Sequence, residues 1–373
     1  MSNPNGLLEE FYSSSLKRKN KSFTSSEDLK NKIEFICRCN ANKAPIRFLM
    51  SCLLAKIDKP RFDIRKPYTE ISGDDSFSGR YYDENYIQPF VHKYKLPCNA
   101  TTAYLTPAFR NNDRLLTPDL VLVGRPREAY TYSLQILNAV HIGTETAKNI
   151  IQEIIRFLIV IKKENEIRME QLLAELKQTQ DVLPLSSEEI VTLLSQHLSS
   201  KNSSRLPVLI IAAAYMAVGE RIGEGSMPLE AHNAADKQTG SLGDIEITLV
   251  NDKKIITSYE MKDKRITKND IDVALQKLKG VKSKIDNYIF ITTDVIEQEV
   301  IDYAKNIYEK TATEFAILDC IGFIRHYLHF FHRTRITFLN IYQELVIKEA
   351  TSSISQPLKE LFLALRRAAE ADR

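Results

Sequence analysis

Four ionisable side chains lie near the ends of two short apolar segments between residues 241 and 262. Asp244 and Glu246 are in the first segment, and Glu260 and Lys262 end the second. The alternation of apolar and polar residues predicts two antiparallel strands joined by a short polar turn. Residues two apart on a strand share a face, so the members of each pair point the same way. Three carboxylates brought together are costly unless a divalent cation joins them, and the pattern therefore predicts a metal-dependent phosphodiesterase site.

The chemistry of phosphodiester hydrolysis suggests a role for each of these side chains. One or two Mg²⁺ ions can activate the water, neutralise the phosphate and assist the leaving oxygen. Asp244 and Glu260 are the expected Mg²⁺ ligands, with the main-chain carbonyl of Met261 as a further oxygen. Lys262 is expected to hold or polarise the attacking water and to stabilise charge in the transition state. Glu246 could be a second acid or a salt-bridge partner for Lys262.

The alternative interpretation is a surface hairpin with alternating charges, because so short a pattern also arises by chance. The flanking segments favour a site within a compact core. An apolar helix is predicted over Pro207–Glu220, before the hairpin, and a capping box at Thr267–Asp270 begins a helix after it. Tyr288–Thr292 then has the composition of a buried strand. Pro118-Asp119 is another proline–acid pair, but no Glu-x-Lys strand follows it.

The order of these elements predicts an α/β fold with one central mixed sheet flanked by helices. The first half has mainly helical patterns and is a possible DNA-recognition domain. The Ser/Lys/Asn segment from Ser199 to Ser204 has the composition of a linker. The predicted organisation is a flexible tail over 1–26, a mainly helical domain over 27–198, a nuclease core over 205–320 and C-terminal helices over 321–373.

Several polar side chains outside the hairpin are candidates for contacts to DNA. The segment from Lys59 to Pro126 is rich in Arg, Asn, Thr and Tyr, which reach bases and phosphates in known complexes. The alternative there is an irregular connection whose side chains satisfy their own backbone. His232 and Asn233 could contact DNA or cap a turn, and Gln276 could approach a phosphate or be solvated. The candidates in the first half are Arg80, Asn99, Thr101, Thr102, Arg110 and Asn111.

Composition sets wider limits on the class of protein. The 373 residues carry a net charge of +3, which permits a nucleic-acid partner without requiring one. The basic run Lys17–Lys21 is expected to be part of a solvated tail, although it could touch phosphates. Five cysteines without a CxxC spacing predict reduced thiols. The longest apolar run, Pro207–Val218, is shorter than the roughly 20 residues of a membrane span, so a cytoplasmic protein without a membrane partner is expected.

The order of an Asp strand, a Glu-x-Lys strand, a helix and a strand resembles the core of the PD-(D/E)XK nucleases. More specifically, the chain resembles the SacI family of type II restriction endonucleases. The resemblance is carried in the second half by Ala231–Glu246 and Tyr259–Lys262. In the first half it is carried by Ser76–Asp83 and Pro97–Thr102. Gly243 stands where the superfamily pattern has proline, and this departure removes no metal ligand.

The resemblance implies Mg²⁺-dependent cleavage of double-stranded DNA at a short site. It assigns Asp244 and Glu260 as metal ligands and Lys262 as the catalytic lysine. A homodimer is implied because a palindromic site presents two equivalent strands, and a cognate DNA methyltransferase is implied as the partner in a restriction system. Two alternatives keep the same fold: a catalytically silent DNA- or protein-binding module, and a structure-selective repair nuclease.

Overall fold

The structure is a computed structural model that describes most of the chain. It divides into two compact units, Met1–Arg168 and Met169–Arg373, which are described separately. The described ranges are 3–71, 73–99, 101–110, 112–177, 183–229, 242–252, 254–280 and 285–371.

Helices account for the regular structure described in the first unit. Ser26 caps the second helix, where its side chain accepts from the Leu29 N–H at 3.3 Å. The chain from 59 to 126 is mostly irregular, as its composition predicted, with a π-helical turn at Asp83–Ile87. The helices are α1 (Pro4–Lys17), α2 (Glu27–Arg38), α3 (Ala44–Asp58), α4 (Gly79–Tyr82), α5 (Gln88–Lys93), α6 (Arg127–His141) and α7 (Ala147–Lys177).

The N-terminal segment is a packed helix, which corrects the prediction of a flexible tail over residues 1–26. Leu8 and Phe11 on α1 are buried in the core of the first unit. The Ser15 hydroxyl is also buried and donates to the main-chain carbonyl of Gln152 at 3.0 Å. The polar composition of this segment led to the prediction of a tail, but these few inward-facing residues are enough to hold one face of the helix in place.

The second unit is a five-stranded mixed sheet with helices on both faces, which confirms the α/β prediction. The strand order is β1-β2-β3-β4-β5; β1, β2 and β3 are antiparallel neighbours, whereas β3, β4 and β5 are parallel. The short β1 was not predicted. The strands are β1 (Glu224–Ser226), β2 (Ile245–Leu249), β3 (Ile255–Lys262), β4 (Asn287–Thr292) and β5 (Glu314–Asp319), and the helices are α8 (Ser187–Leu198), α9 (Leu206–Ile222), α10 (Lys268–Lys279), α11 (Gln298–Thr311), α12 (Cys320–Phe330), α13 (Arg335–Lys348) and α14 (Gln356–Ala371).

The alternation along β2, β3 and β4 separates two apolar layers. Tyr259 and Ile289 belong to a large cluster with the buried α9, as the apolar composition of that helix predicted. Tyr288 and Phe290 belong to a smaller cluster with side chains of α10 and α11. Glu260 alternates with Tyr259 and therefore faces the layer of α10 and α11.

The division between units lies within α7, after Arg168, and the predicted linker Ser199–Ser204 is a turn inside the second unit. Helix α8 packs within this unit because its buried His197 bonds to two other helices. The Nδ1 atom is 3.0 Å from the Tyr342 hydroxyl on α13, and Nε2 is 3.0 Å from the Leu358 carbonyl on α14. The C-terminal helices, predicted to be a separate segment from residue 321, are therefore part of the same unit.

No helix in the described ranges has both the length and the apolar composition that crossing a bilayer requires.

Candidate active site

The antiparallel pairing of β2 with β3 places Asp244 opposite Glu260. Ile245 pairs with Tyr259, and the Asp244 N–H donates to the Tyr259 carbonyl at 2.7 Å. The next residue along β3, Met261, donates its N–H to Asp244 Oδ2 at 2.7 Å. The predicted ligands from two separate strands are thus neighbours in space.

Glu260 accepts from three side chains that surround its carboxylate. Lys262 Nζ lies 2.7 Å from Oε1, and Lys277 Nζ, from α10, lies 3.2 Å from Oε2. The Tyr288 hydroxyl on β4 also donates to Oε2. Burial by itself would raise the pKa of Glu260, but hydrogen bonds from Lys262 and Tyr288 and the charges of the two lysines lower it overall. Glu260 is therefore held as a carboxylate.

Asp244 is in a different electrostatic environment. Loss of water around its carboxylate raises the pKa of Asp244, and the nearby charge of Glu260 raises it further. The Met261 N–H and the charges of Arg205 and Lys262 oppose this shift without cancelling it. A pair of carboxylates whose charges repel each other is the environment in which a bound cation is favourable.

Lys262 is positioned by acids on both sides. Besides Glu260, its ammonium group lies 3.8 Å from Asp270 Oδ1, and its side chain is 24% exposed, so it is accessible. Asp270 is itself held by the predicted capping box at the start of α10, where its Oδ2 accepts from the Thr267 N–H at 2.9 Å. The capping box thus has a second consequence, since it fixes an acid beside the lysine.

Glu246 shares the strand face predicted for it, where it lies opposite Ser258. Its Oε1 accepts from the Leu242 N–H at 2.7 Å, which braces the chain just before Asp244. Lys262 pairs instead with Glu260 and Asp270. Glu246 therefore does not form the predicted salt bridge with Lys262. It instead supports the chain just before β2.

This cluster also contains Lys277, Tyr288 and Asp270, which the sequence patterns did not indicate as site residues. Asp270 and Lys277 are seven residues apart, which is two turns of α10, and the buried Ala274 lies between them on the same side. Helical spacing could have grouped the two charged side chains. It could not have indicated that this side of α10 faces Glu260.

Within the described residues, no group of three or more His, Cys, Asp or Glu side chains is arranged to hold a metal ion. The donor set here is smaller: the carboxylates of Asp244 and Glu260 and the main chain of Met261. Such a set suits Mg²⁺, which keeps several waters and is bound by one or two carboxylates together with substrate phosphate.

Three of the DNA-contact candidates in the first unit are exposed. Arg80 forms an ion pair with Glu84 at 2.7 Å on the same helical turn, which leaves both side chains at the surface. Thr101 and Arg110 are also exposed, so all three could meet a ligand. Gln276, in the second unit, is exposed on α10, next to Lys277.

Thr102 and Asn99 take part in a buried network instead. The Thr102 hydroxyl donates to Asp83 Oδ2 at 2.5 Å, and Asp83 forms a fully buried ion pair with Arg47 at 2.9 Å. Arg47 also donates to the Asn99 main-chain carbonyl at 3.0 Å. Thr102 is therefore a structural residue, because its hydroxyl helps to satisfy a buried charge. Asn111, His232 and Asn233 lie outside the described residues.

Residues 184–293 match the family model described as the SacI restriction endonuclease C-terminal domain. Over these residues, here called the SacI-type domain, the chain is similar to that family. The match confirms the predicted resemblance to the SacI family and supports a restriction endonuclease. It begins just before α8 and ends after β4, so it contains Asp244, Glu260, Lys262 and Lys277. A comparison of the chain with curated proteins found no match.

Proposed function

We propose that this protein is a type II restriction endonuclease that hydrolyses double-stranded DNA at a specific sequence with Mg²⁺. The observation that carries the proposal is the grouping of Asp244, Glu260 and Lys262 at the ends of β2 and β3, inside the SacI-type domain. The mixed sheet with helices on both faces is compatible with a PD-(D/E)XK core, which is part of the proposal.

Asp244 and Glu260 would hold Mg²⁺ together with the Met261 carbonyl. The N–H and C=O of one strand residue point to the same side of the strand, and the Met261 N–H points to Asp244. Its carbonyl therefore also faces the side on which Asp244 lies. A bound Mg²⁺ would supply the Lewis acid that activates water and neutralises the scissile phosphate.

Lys262 would orient the attacking water and stabilise the negative charge that develops on the phosphate. It is suited to this because its ammonium is held between Glu260 and Asp270 but remains partly exposed. Positioning by these acids reduces the rearrangement needed when substrate binds. Glu260 and Lys262 thus support each other, and the loss of either would disturb both water and metal positions.

The decisive experiment is cleavage of plasmid and genomic DNA by the full chain in Mg²⁺ and in EDTA. Removing a metal ligand or the lysine is expected to reduce cleavage by at least about a hundred-fold, because each acts on the transition state. The test variants are Asp244→Asn and Lys262→Met. Matched controls are Glu309→Gln and Lys310→Met, exposed residues of α11, which should cut as the wild type does.

The outcomes separate the candidate functions. Discrete fragments with Mg²⁺ and none with EDTA support the proposal, and sequencing of the fragment ends then gives the recognition site. Undiminished cleavage by Asp244→Asn and Lys262→Met would refute the site. DNA binding without cleavage would indicate a silent module, and cleavage restricted to branched DNA would indicate a repair nuclease.

Two partners belong to the same proposal. A homodimer would place one such site on each strand of a palindrome, and sedimentation of the full chain with and without DNA tests it. A cognate DNA methyltransferase would protect the recognition site in the host. Methylating intact DNA that contains the recognition site before digestion tests for protection.

A further inference from the structure

Four exposed cations lie at the end of α1 and in the turn after it: Lys17 is the last residue of the helix, and Arg18, Lys19 and Lys21 follow it. These four residues are here called the cationic turn. It has four positive charges within five residues and no acid among them. Within the described residues, none of the four forms an ion pair with a carboxylate. Like charges held this close repel one another, so the turn costs stability unless an anion compensates it.

Two partly exposed lysines of the same unit, Lys30 and Lys32, are paired locally. Lys30 lies 2.9 Å from Glu27, and Lys32 lies 2.5 Å from Asp28, each on the same face of α2. The four residues of the cationic turn thus differ from Lys30 and Lys32, whose charges are paired with acids of their own helix. The C-terminal end of α1 contributes only about half a negative charge through its dipole, which cannot balance four cations.

A buried ion pair holds this turn in one conformation. Glu153 and Arg156 on α7 are almost fully buried and lie 2.6 Å apart. Arg156 donates to the Lys19 carbonyl at 2.9 Å, which fixes the backbone of the turn from beneath. Glu153 accepts from the Phe23 N–H at 2.9 Å and so fixes the chain after it. Because Arg156 neutralises Glu153, this acid adds no compensation for the charges above it.

The side chain of Arg18 is also constrained. Its guanidinium lies 4.5 Å from the centre of the Phe23 ring, and it donates to the Ser22 carbonyl at 3.3 Å. The backbone of Lys21 closes the turn by donating to the Arg18 carbonyl at 3.0 Å. The backbone of the turn and the Arg18 side chain are therefore preorganised, which lowers the entropy cost of binding a partner.

We propose that the cationic turn of the first unit binds backbone phosphates of double-stranded DNA. The proposal rests on the proposed function, which supplies DNA as the substrate. A free phosphate or one acidic side chain would satisfy one or two of these charges, whereas the closely spaced phosphates of a duplex can satisfy all of them. Lysines act as point charges, so this binding is independent of base sequence.

The experiment measures how DNA binding depends on salt. A labelled duplex is titrated with the full chain in EDTA, so that no cutting occurs, over a series of NaCl concentrations. The test variant replaces Lys17, Arg18, Lys19 and Lys21 with glutamine. Each phosphate that the variant no longer neutralises lowers the slope of log K against log salt by about 0.9, so we expect a decrease of about 2 to 4. The control variant makes the same net change of charge with glutamine at four acid-paired lysines: Lys30, Lys32, Lys93 and Lys148.

A second measurement locates the bound duplex directly. Lysines of the wild type are acetylated with and without the duplex, and the modified positions are read by mass spectrometry. We expect several-fold protection of Lys17, Lys19 and Lys21 and unchanged modification of Lys30 and Lys32. Competition with polyglutamate and with a structured RNA establishes which polyanion the turn prefers.

The results distinguish this proposal from the proposed function. A larger decrease of the slope in the test variant than in the control, with protection of the turn, supports phosphate binding at the turn. Equal slopes in both variants, or protection by polyglutamate or RNA but not by the duplex, would overturn it and leave the nuclease proposal intact. Absence of any DNA binding by the wild type would overturn both.

Discussion

At the scale of single residues, Glu260 is the centre of the site. Its carboxylate contacts Lys262 from its own strand, Lys277 from α10 and Tyr288 from β4. The two ammonium groups beside this proposed metal ligand have different expected effects on cleavage. Lys262 is also beside Asp270 and would act on the substrate, whereas Lys277 mainly competes with a cation for the same carboxylate.

We therefore expect Lys277→Met to lower the Mg²⁺ concentration needed for half-maximal cleavage by about three- to ten-fold, since removing a nearby positive charge strengthens cation binding. Cleavage at saturating Mg²⁺ should remain far above that of Lys262→Met. The measurement is a Mg²⁺ titration of initial cleavage rates. Lys279→Met, on an exposed position of the same helix, is the control and should leave the titration unchanged. An increased Mg²⁺ requirement in Lys277→Met would contradict this role.

At the scale of elements, the contact between β2 and β3 requires glycine just before Asp244. A Cβ atom at Gly243 would lie 2.5 Å from the Tyr259 carbonyl oxygen and 2.5 Å from Ser258 Oγ. A proline would add the same Cβ, so this chain cannot have the proline of the superfamily pattern without moving a strand. The departure noted in the sequence thus has a steric cause in the pairing of the two strands.

We expect Gly243→Ala to displace the start of β2 and to separate Asp244 from Met261. Cleavage should decrease by about ten- to a hundred-fold, because small misplacements of reacting groups are costly. Stability should also decrease, by about 1 to 3 kcal/mol, from the overpacking. Gly225→Ala on β1 meets open space and is the control. Rates and thermal unfolding are measured for both, and wild-type values for Gly243→Ala would show that the strand can adapt.

At the scale of the whole molecule, a buried histidine links helices of the second unit. The Leu358 carbonyl can only accept, so His197 donates from Nε2, and Nδ1 accepts from the Tyr342 hydroxyl. The bond that Nδ1 accepts needs the neutral ring, and burial lowers the pKa of His197 from 6.5 to about 4. The folded protein therefore resists a protonation that the unfolded chain accepts.

The sign of the effect follows from that lowered pKa. The unfolded chain binds a proton below about pH 6.5 and the folded one only near pH 4, so folding stability should fall as the pH decreases between these values. The loss attributable to His197 is on the order of 3 kcal/mol by pH 4. Urea unfolding of the wild type and of His197→Gln between pH 7 and 4 tests this, because the variant should lack this part of the pH dependence. Parallel curves for the two proteins would contradict it.

Much of the fold and the core of the site were predictable because their signals are local. Alternation predicted β2 and β3, a capping box predicted the start of α10, and an apolar composition predicted a buried α9. The spacing of Asp244, Glu260 and Lys262 predicted one site, and the structure brings these residues together. Such patterns depend on neighbours within a few residues, and the sequence contains those directly.

Tertiary structure alone decided which distant side chains join them. Lys277 reaches Glu260 across 17 residues and Tyr288 across 28, and no periodicity in the sequence specifies those contacts. Tertiary structure also decided that the apolar face of α1 is buried, because α7 and other helices cover it. It likewise decided the conformation of the cationic turn, which Glu153 and Arg156 hold. The sequence by itself determined which residue types are available for chemistry. Long-range packing determined which of them meet, because burial and pairing depend on partners far along the chain.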